Sequence, residues 1–129
     1  MTALRILLVE DEPLIGLSVQ DALEEAGYSV SILHSGKEAI SDLQSEKTKA
    51  VGLITDIRLG STPDGWDVAR AARELDKQFP VVYLSGDSAG EHGARGVPDS
   101  IMIQKPFAPA QVVTAISALL NALPARPPD

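Results

Sequence analysis

Val51-Gly52-Leu53-Ile54-Thr55-Asp56 is an apolar run of strand length that ends in a carboxylate. The turn-prone Arg58-Leu59-Gly60-Ser61-Thr62-Pro63-Asp64-Gly65 follows it. A short apolar run bounded by turn residues reads as a buried strand. An acid at its end stands at the carboxyl edge of a sheet, and in open α/β sheets ligands bind at that edge. A second run, Leu4-Arg5-Ile6-Leu7-Leu8-Val9, ends in Glu10-Asp11-Glu12. If the two strands are parallel neighbours, Asp11 and Asp56 converge on one point. Carboxylates that close repel, and a hard divalent cation is the usual remedy.

The residues between these runs alternate in type. Pro13 suits the first turn of a helix, and the acids before it are placed to cap free N–H groups. Ile15, Val19, Ala22, Leu23 and Ala26 recur at helical spacing, and Gly27 closes the helix. Tyr28 to His34 alternates, as an edge strand half open to water would. Ser35 with Glu38 three residues on fits a capping box and opens a second helix, which the polar stretch Gln44 to Lys49 ends.

Beyond the central strand, Asp64 reads as the N-cap of a third helix carrying Val68, Ala69, Ala72 and Leu75. Pro80 stops that pattern, and Val81 to Leu84 forms a fourth strand ending at Ser85. Gly86 to Pro98 holds four glycines and little apolar content, which predicts a short or mobile helix at most. Ile101-Met102-Ile103 is a fifth short strand leading to Gln104-Lys105-Pro106-Phe107, and Pro109 starts a last amphipathic helix. The organisation expected is one domain over residues 1–123 with a disordered tail at 124–129 and no output module. Five alternations of strand and helix mean an α/β doubly wound, five-stranded parallel sheet with helices on both faces, its alternating second strand at an edge.

Bulk composition narrows the function. The chain has 129 residues, 44% of them apolar and 22% charged, which suits one soluble globular domain. A net charge of −7 argues against a nucleic-acid or anionic-membrane surface, because phosphate binding wants excess Lys and Arg. The absence of cysteine excludes disulfides, thiolate metal sites and a Cys nucleophile. No apolar stretch approaches the roughly 20 residues of a membrane span, and Met1-Thr2-Ala3 leads straight into a strand without a signal-type segment. A cytoplasmic protein is expected.

Polar groups end four of the strands: Glu10-Asp11, Asp56, Ser85 and Lys105. This set is what phosphoryl transfer to a carboxylate needs. Mg²⁺ takes carboxylate, water and phosphate oxygens. A carboxylate can act as nucleophile to give an acyl phosphate. An ammonium and hydroxyl donors meet the charge of the transferring group.

With those residues in view, the chain resembles a two-component response-regulator receiver domain over Leu4 to Leu123. The motifs that carry the likeness are Val9-Glu10-Asp11-Glu12-Pro13, Thr55-Asp56-Ile57-Arg58-Leu59, Leu84-Ser85-Gly86 and Gln104-Lys105-Pro106-Phe107. Singly they are weak. In this order, with 45, 29 and 20 residues separating Asp11, Asp56, Ser85 and Lys105, they are specific. The resemblance implies a flavodoxin-like, CheY-like strand order of 2-1-3-4-5. It implies Asp56 as phosphoacceptor from a sensor histidine kinase or phosphotransferase. Asp11 and Asp56 would bind Mg²⁺, with Glu10 acting through water and Arg58 through its backbone carbonyl. Lys105 would pair with phosphoryl oxygens, Ser85 would swing in to donate a hydrogen bond, and a cis Lys105–Pro106 bond is expected. Signalling would run to a downstream protein target through the face built by the Gly86–Pro98 segment, the fifth strand and the last helix. Such a stand-alone domain turns over no separate metabolite and is not read as an enzyme.

Other residues have plainer readings. Glu12 reads as a capping acid, Trp66 as packing, His34 as a surface or edge residue and His92 as a loop residue with no visible partner. Arg58 and Asp87 occupy positions that overhang the site in the family and tune phosphate lifetime; a salt bridge between them and simple solvation stand about equal. Receivers usually carry Tyr or Phe three residues before the lysine, and here that position is Met102. A flexible, unbranched side chain can fill two pockets but cannot relay a switch by burying a ring. Activation by ordering or moving Gly86–Pro98 is expected instead. The rival readings are a phosphorylation-independent pseudo-receiver, a haloacid-dehalogenase-type phosphatase, which wants an acid where Arg58 stands, and a flavodoxin-like carrier, whose phosphate loop Glu10-Asp11-Glu12 would oppose.

Overall fold

The computed structural model describes residues 3–45, 49–87 and 89–124. The strands are β1 (Arg5–Val9), β2 (Ser29–Leu33), β3 (Ala50–Asp56), β4 (Val81–Ser85) and β5 (Ile101–Gln104). Between and after them lie α1 (Pro13–Glu25), α2 (Gly36–Gln44), α3 (Gly65–Leu75), α4 (His92–Arg95) and α5 (Pro109–Asn121). The sheet order is β2-β1-β3-β4-β5 and every pairing is parallel. The edge strand β2 is only half-buried, whereas β4 is buried at every position.

Period-two alternation divides the apolar residues into two cores. Ile6, Leu8, Ile54, Val82 and Leu84 pack with Val19 and Leu23 of α1 and Val112 and Ile116 of α5. Leu7, Val9, Leu53, Val81 and Tyr83 pack with Ala39 and Leu43 of α2 and Trp66, Val68 and Ala72 of α3. Each fully buried Leu or Ile side chain contributes about 1.5–3 kcal/mol on transfer from water, so these two layers fix the strands and hold their carboxyl ends at one edge.

Local chemistry sets the helix ends. Ser35 accepts a hydrogen bond from the Glu38 amide at 3.2 Å, and Asp64 and Asp67 form a reciprocal capping box. Gly27 lies just past α1 with φ +98°, a conformation that favours glycine. The capping expected of the acids before Pro13 is not made, because the Glu12 side chain gives α1 no hydrogen bond. The Gly86–Pro98 stretch contains only a 3₁₀ turn at Ala89–Glu91 and the single-turn α4 among its described residues, in keeping with its low apolar content. The stretch that closes α2 falls partly, at 46–48, outside the described residues, and the tail expected at 124–129 does so from residue 125. Among the described residues no helix is long and apolar enough to cross a membrane.

Candidate phosphoryl-transfer site

Register brings the candidate residues together. Val9 pairs with Thr55, so Glu10 comes level with Asp56. Asp56 pairs with Leu84 and Ser85 with Gln104, so Ser85 and Lys105 follow at the same edge. Asp11, Glu12, Asp56, Ser85 and Lys105 line one cleft of about 390 Å³, and Arg58 and Asp87 form its rim. A larger hollow of about 490 Å³, between Arg73 of α3, Leu119 of α5 and Leu123 just beyond that helix, holds none of the candidate residues.

Asp56 is almost completely buried and its backbone is held from several sides. The Thr55 hydroxyl donates to the Asp56 carbonyl at 2.8 Å, and the Ile57 amide donates to Leu84 at 3.1 Å. Gly65 presses against this backbone: an added Cβ would stand 2.2 Å from the Asp56 carbonyl oxygen. The Lys105 amide donates to the Ser85 carbonyl at 2.7 Å, and the Lys105–Pro106 bond is cis, as is Thr62–Pro63.

One ammonium serves three acids. Lys105 Nζ lies 3.1 Å from Asp56 Oδ2, 3.2 Å from Glu12 Oε1 and 3.4 Å from Glu10 Oε1. Burial opposes the charge on Lys105, but Asp56, by hydrogen bond and charge, and the two glutamates outweigh it and hold the pKa above the ordinary lysine value. Glu10 is fully buried, and burial first, then Asp56 beside it, push its carboxyl up to about 8. Among the described residues nothing donates a hydrogen bond to its Oε1. One oxygen each from Glu10, Asp11, Glu12 and Asp56 lies within 4.8 Å of the others. Crowded hard oxygen donors, one of them buried without a hydrogen bond, have the chemistry of a divalent-cation site.

This geometry agrees with the family comparison, in which residues 6–117 match the response regulator receiver domain. The chain belongs to the receiver domain family. It is 34% identical over 121 residues to the transcriptional regulatory protein TrcR of Mycobacterium tuberculosis, covering 92% of this chain and 46% of that one. The chain thus spans about half the length of the curated relatives it matches. Among solved structures, a response regulator receiver protein from Sinorhizobium medicae superposes with a TM-score of 0.90 at 48% identity, covering 93% of this chain and 96% of that one. The receiver domain of the sensor histidine kinase PA1611 from Pseudomonas aeruginosa, solved with magnesium in its active-site cleft, shares the fold with a TM-score of 0.76 at 21% identity, covering 94% and 100% of the two chains.

Within this receiver domain, Glu12 and His92 diverge from their plainer readings, whereas Trp66 and the exposed His34 keep theirs. Arg58 and Asp87 do form an ion pair, Nε to Oδ1 at 2.8 Å. Glu12 turns to Lys105 and not to its helix. His34 is an exposed residue beside the edge strand, as expected, and its Nδ1 lies 3.1 Å from the Glu10 carbonyl oxygen. His92 has partners: its Nε2 is 2.8 Å from Ser100 Oγ and its ring meets Tyr83 edge-on, centroids 5.7 Å apart. Trp66 packs as expected, 4.8 Å from the Tyr83 ring, with the Arg95 guanidinium over its face at 5.4 Å. Met102 lies outside the cleft, half-buried against the α2–α3 core and paired across the sheet with Tyr83. The contacts made by Thr55, Gly65 and Tyr83 escaped the sequence reading; a glycine directly after the capping Asp64 was the one local sign of close backbone approach.

Proposed function

We propose that this receiver domain accepts a phosphoryl group on Asp56, in a Mg²⁺-dependent reaction, from a histidine kinase or phosphotransferase. The observation that carries the reading is the Lys105 ammonium 3.1 Å from the buried Asp56 carboxylate, inside a cluster of four acids. In the step, an Asp56 carboxylate oxygen forms a bond to phosphorus as the phosphorus–nitrogen bond of the donor phosphohistidine breaks, and imidazole leaves with the electron pair. Lys105 then pairs with phosphoryl oxygens, and the Ser85 hydroxyl donates to one of them. Asp11 and Asp56 would hold the cation directly, with Glu10 acting through water and Arg58 through its backbone carbonyl. When bound, Mg²⁺ neutralises charge on the transferring oxygens.

The receiver unit would act through protein contacts on its α4–β5–α5 face in the cytoplasm. It would transfer the phosphoryl group to itself and release it by hydrolysis, without turning over a separate metabolite. Intact mass after incubation with Mg²⁺ and acetyl phosphate tests this, beside Asp56→Asn. A metal-dependent adduct of one phosphoryl group, absent from the variant, is expected. No adduct, together with no beryllofluoride binding, would favour the pseudo-receiver.

A further inference from the structure

We propose that Glu12 is a positioning residue that competes with the phosphoryl group for Lys105, and so sets how tightly the site holds a phosphoryl oxygen. The inference rests on the phosphoacceptor reading of Asp56 above. Glu12 occupies the N-cap position of α1, yet its side chain caps nothing. Its Oε1 accepts a hydrogen bond from Lys105 Nζ at 3.2 Å, reaching 93 residues along the chain to do so. An ammonium has three N–H donors. Here Asp56 and Glu12 accept hydrogen bonds from it, and Glu10 Oε1 stands 3.4 Å away without one.

A phosphoryl oxygen on Asp56 must therefore share Lys105 with these acids, and the charge of each one weakens its hold. Glu10 and Asp56 are enclosed at the sheet edge, with side chains 0% and 7% exposed, so neither can turn away from Lys105 into water. The Glu12 side chain is 59% exposed, so water can take it back. Glu12 is the acid that yields. Until it does, it occupies the cation the phosphoryl group needs and adds negative charge at the mouth of the cleft.

The test is calorimetric titration of the full chain with beryllium trifluoride in Mg²⁺, a stable stand-in for the phosphoryl group. Glu12→Gln keeps the length and removes the charge, and is expected to bind about two- to fivefold tighter, the scale of a half-exposed ion pair. Glu12→Asp keeps the charge but withdraws it by one methylene, and should fall between. The gap between wild type and Glu12→Gln should shrink as salt is raised, because the pair is open to screening, whereas a purely structural effect would not respond. Equal or weaker binding by Glu12→Gln at low salt, or a gap indifferent to salt, overturns the proposal while the phosphoacceptor reading stands. A wild-type chain that binds no beryllium trifluoride and takes no phosphoryl group removes both.

Discussion

The phenol oxygen of Tyr83 accepts a hydrogen bond from the backbone amide of Val97 at 3.1 Å, inside the core. Tyr83 sits two residues before Ser85 on β4, and its neighbour across the sheet is Met102. The ring thus stands one strand over from the position where receivers usually carry an aromatic. It is also the anchor of the segment that follows the cleft. Ser100 Oγ closes the same loop by donating to the Val97 carbonyl at 2.6 Å while meeting His92 on its other side.

Tyr83→Phe keeps the ring and deletes the acceptor. The Val97 amide is then left buried and unpaired, which should cost about 1–3 kcal/mol. Urea unfolding reads that loss, and amide exchange at Val97 should quicken relative to the central strands. Unchanged stability and unchanged exchange would mean that the phenol does not hold this loop.

The rim pair behaves differently. Arg58 and Asp87 side chains are 69% and 64% exposed, so their ion pair adds little to folding. Arg58→Ala should leave the urea midpoint within error and shorten the life of an Asp56 phosphoryl group severalfold by admitting water. The measurement is decay of the mass adduct after donor removal; a lifetime matching wild type would show that the pair does not screen the site.

Gly65 supports Asp56 through its lack of a side chain. Gly65→Ala would drive a Cβ to 2.2 Å from the Asp56 carbonyl oxygen, a strain of roughly 1–3 kcal/mol or more. It should depress both stability and the rate of adduct formation. Gly90→Ala, whose added Cβ meets nothing within 4 Å, should stay within about 0.5 kcal/mol of wild type. Equal effects of the two substitutions would refute the close-approach account.

Protonation of Glu10 should link pH to metal binding. Its carboxyl is raised from 4.5 to about 8, so the folded state without metal favours the protonated form. The stability this group contributes is complete below 4.5 and is lost as pH rises through about 8. A cation needs the deprotonated acid, so Mg²⁺ affinity should climb across that window by up to about tenfold per pH unit. Thermal unfolding with and without Mg²⁺ at pH 6 and pH 8 checks this. The metal should stabilise more at pH 8, and Glu10→Gln should flatten the difference. Equal stabilisation at both values would sink it.

Strand ends and helix starts were legible from the residues because their chemistry is local. An apolar run can bury only as a strand or a helix, Asp64 and Ser35 can reach amides three residues on, and Gly27 can take a positive φ. Parallel strands then must deliver Asp11, Asp56, Ser85 and Lys105 to one edge, which is why the candidate cleft is legible in the residues alone. Partner choice was not legible. Glu12 had a near use as a cap and a distant one at Lys105, and only the meeting of the β1–α1 and β5–α5 turns decides between them. Likewise His92 finds Ser100 and Tyr83 only after β4 and β5 pair. Backbone pattern reports on neighbours in the chain, while side-chain pairing depends on distances that exist only once the sheet has closed.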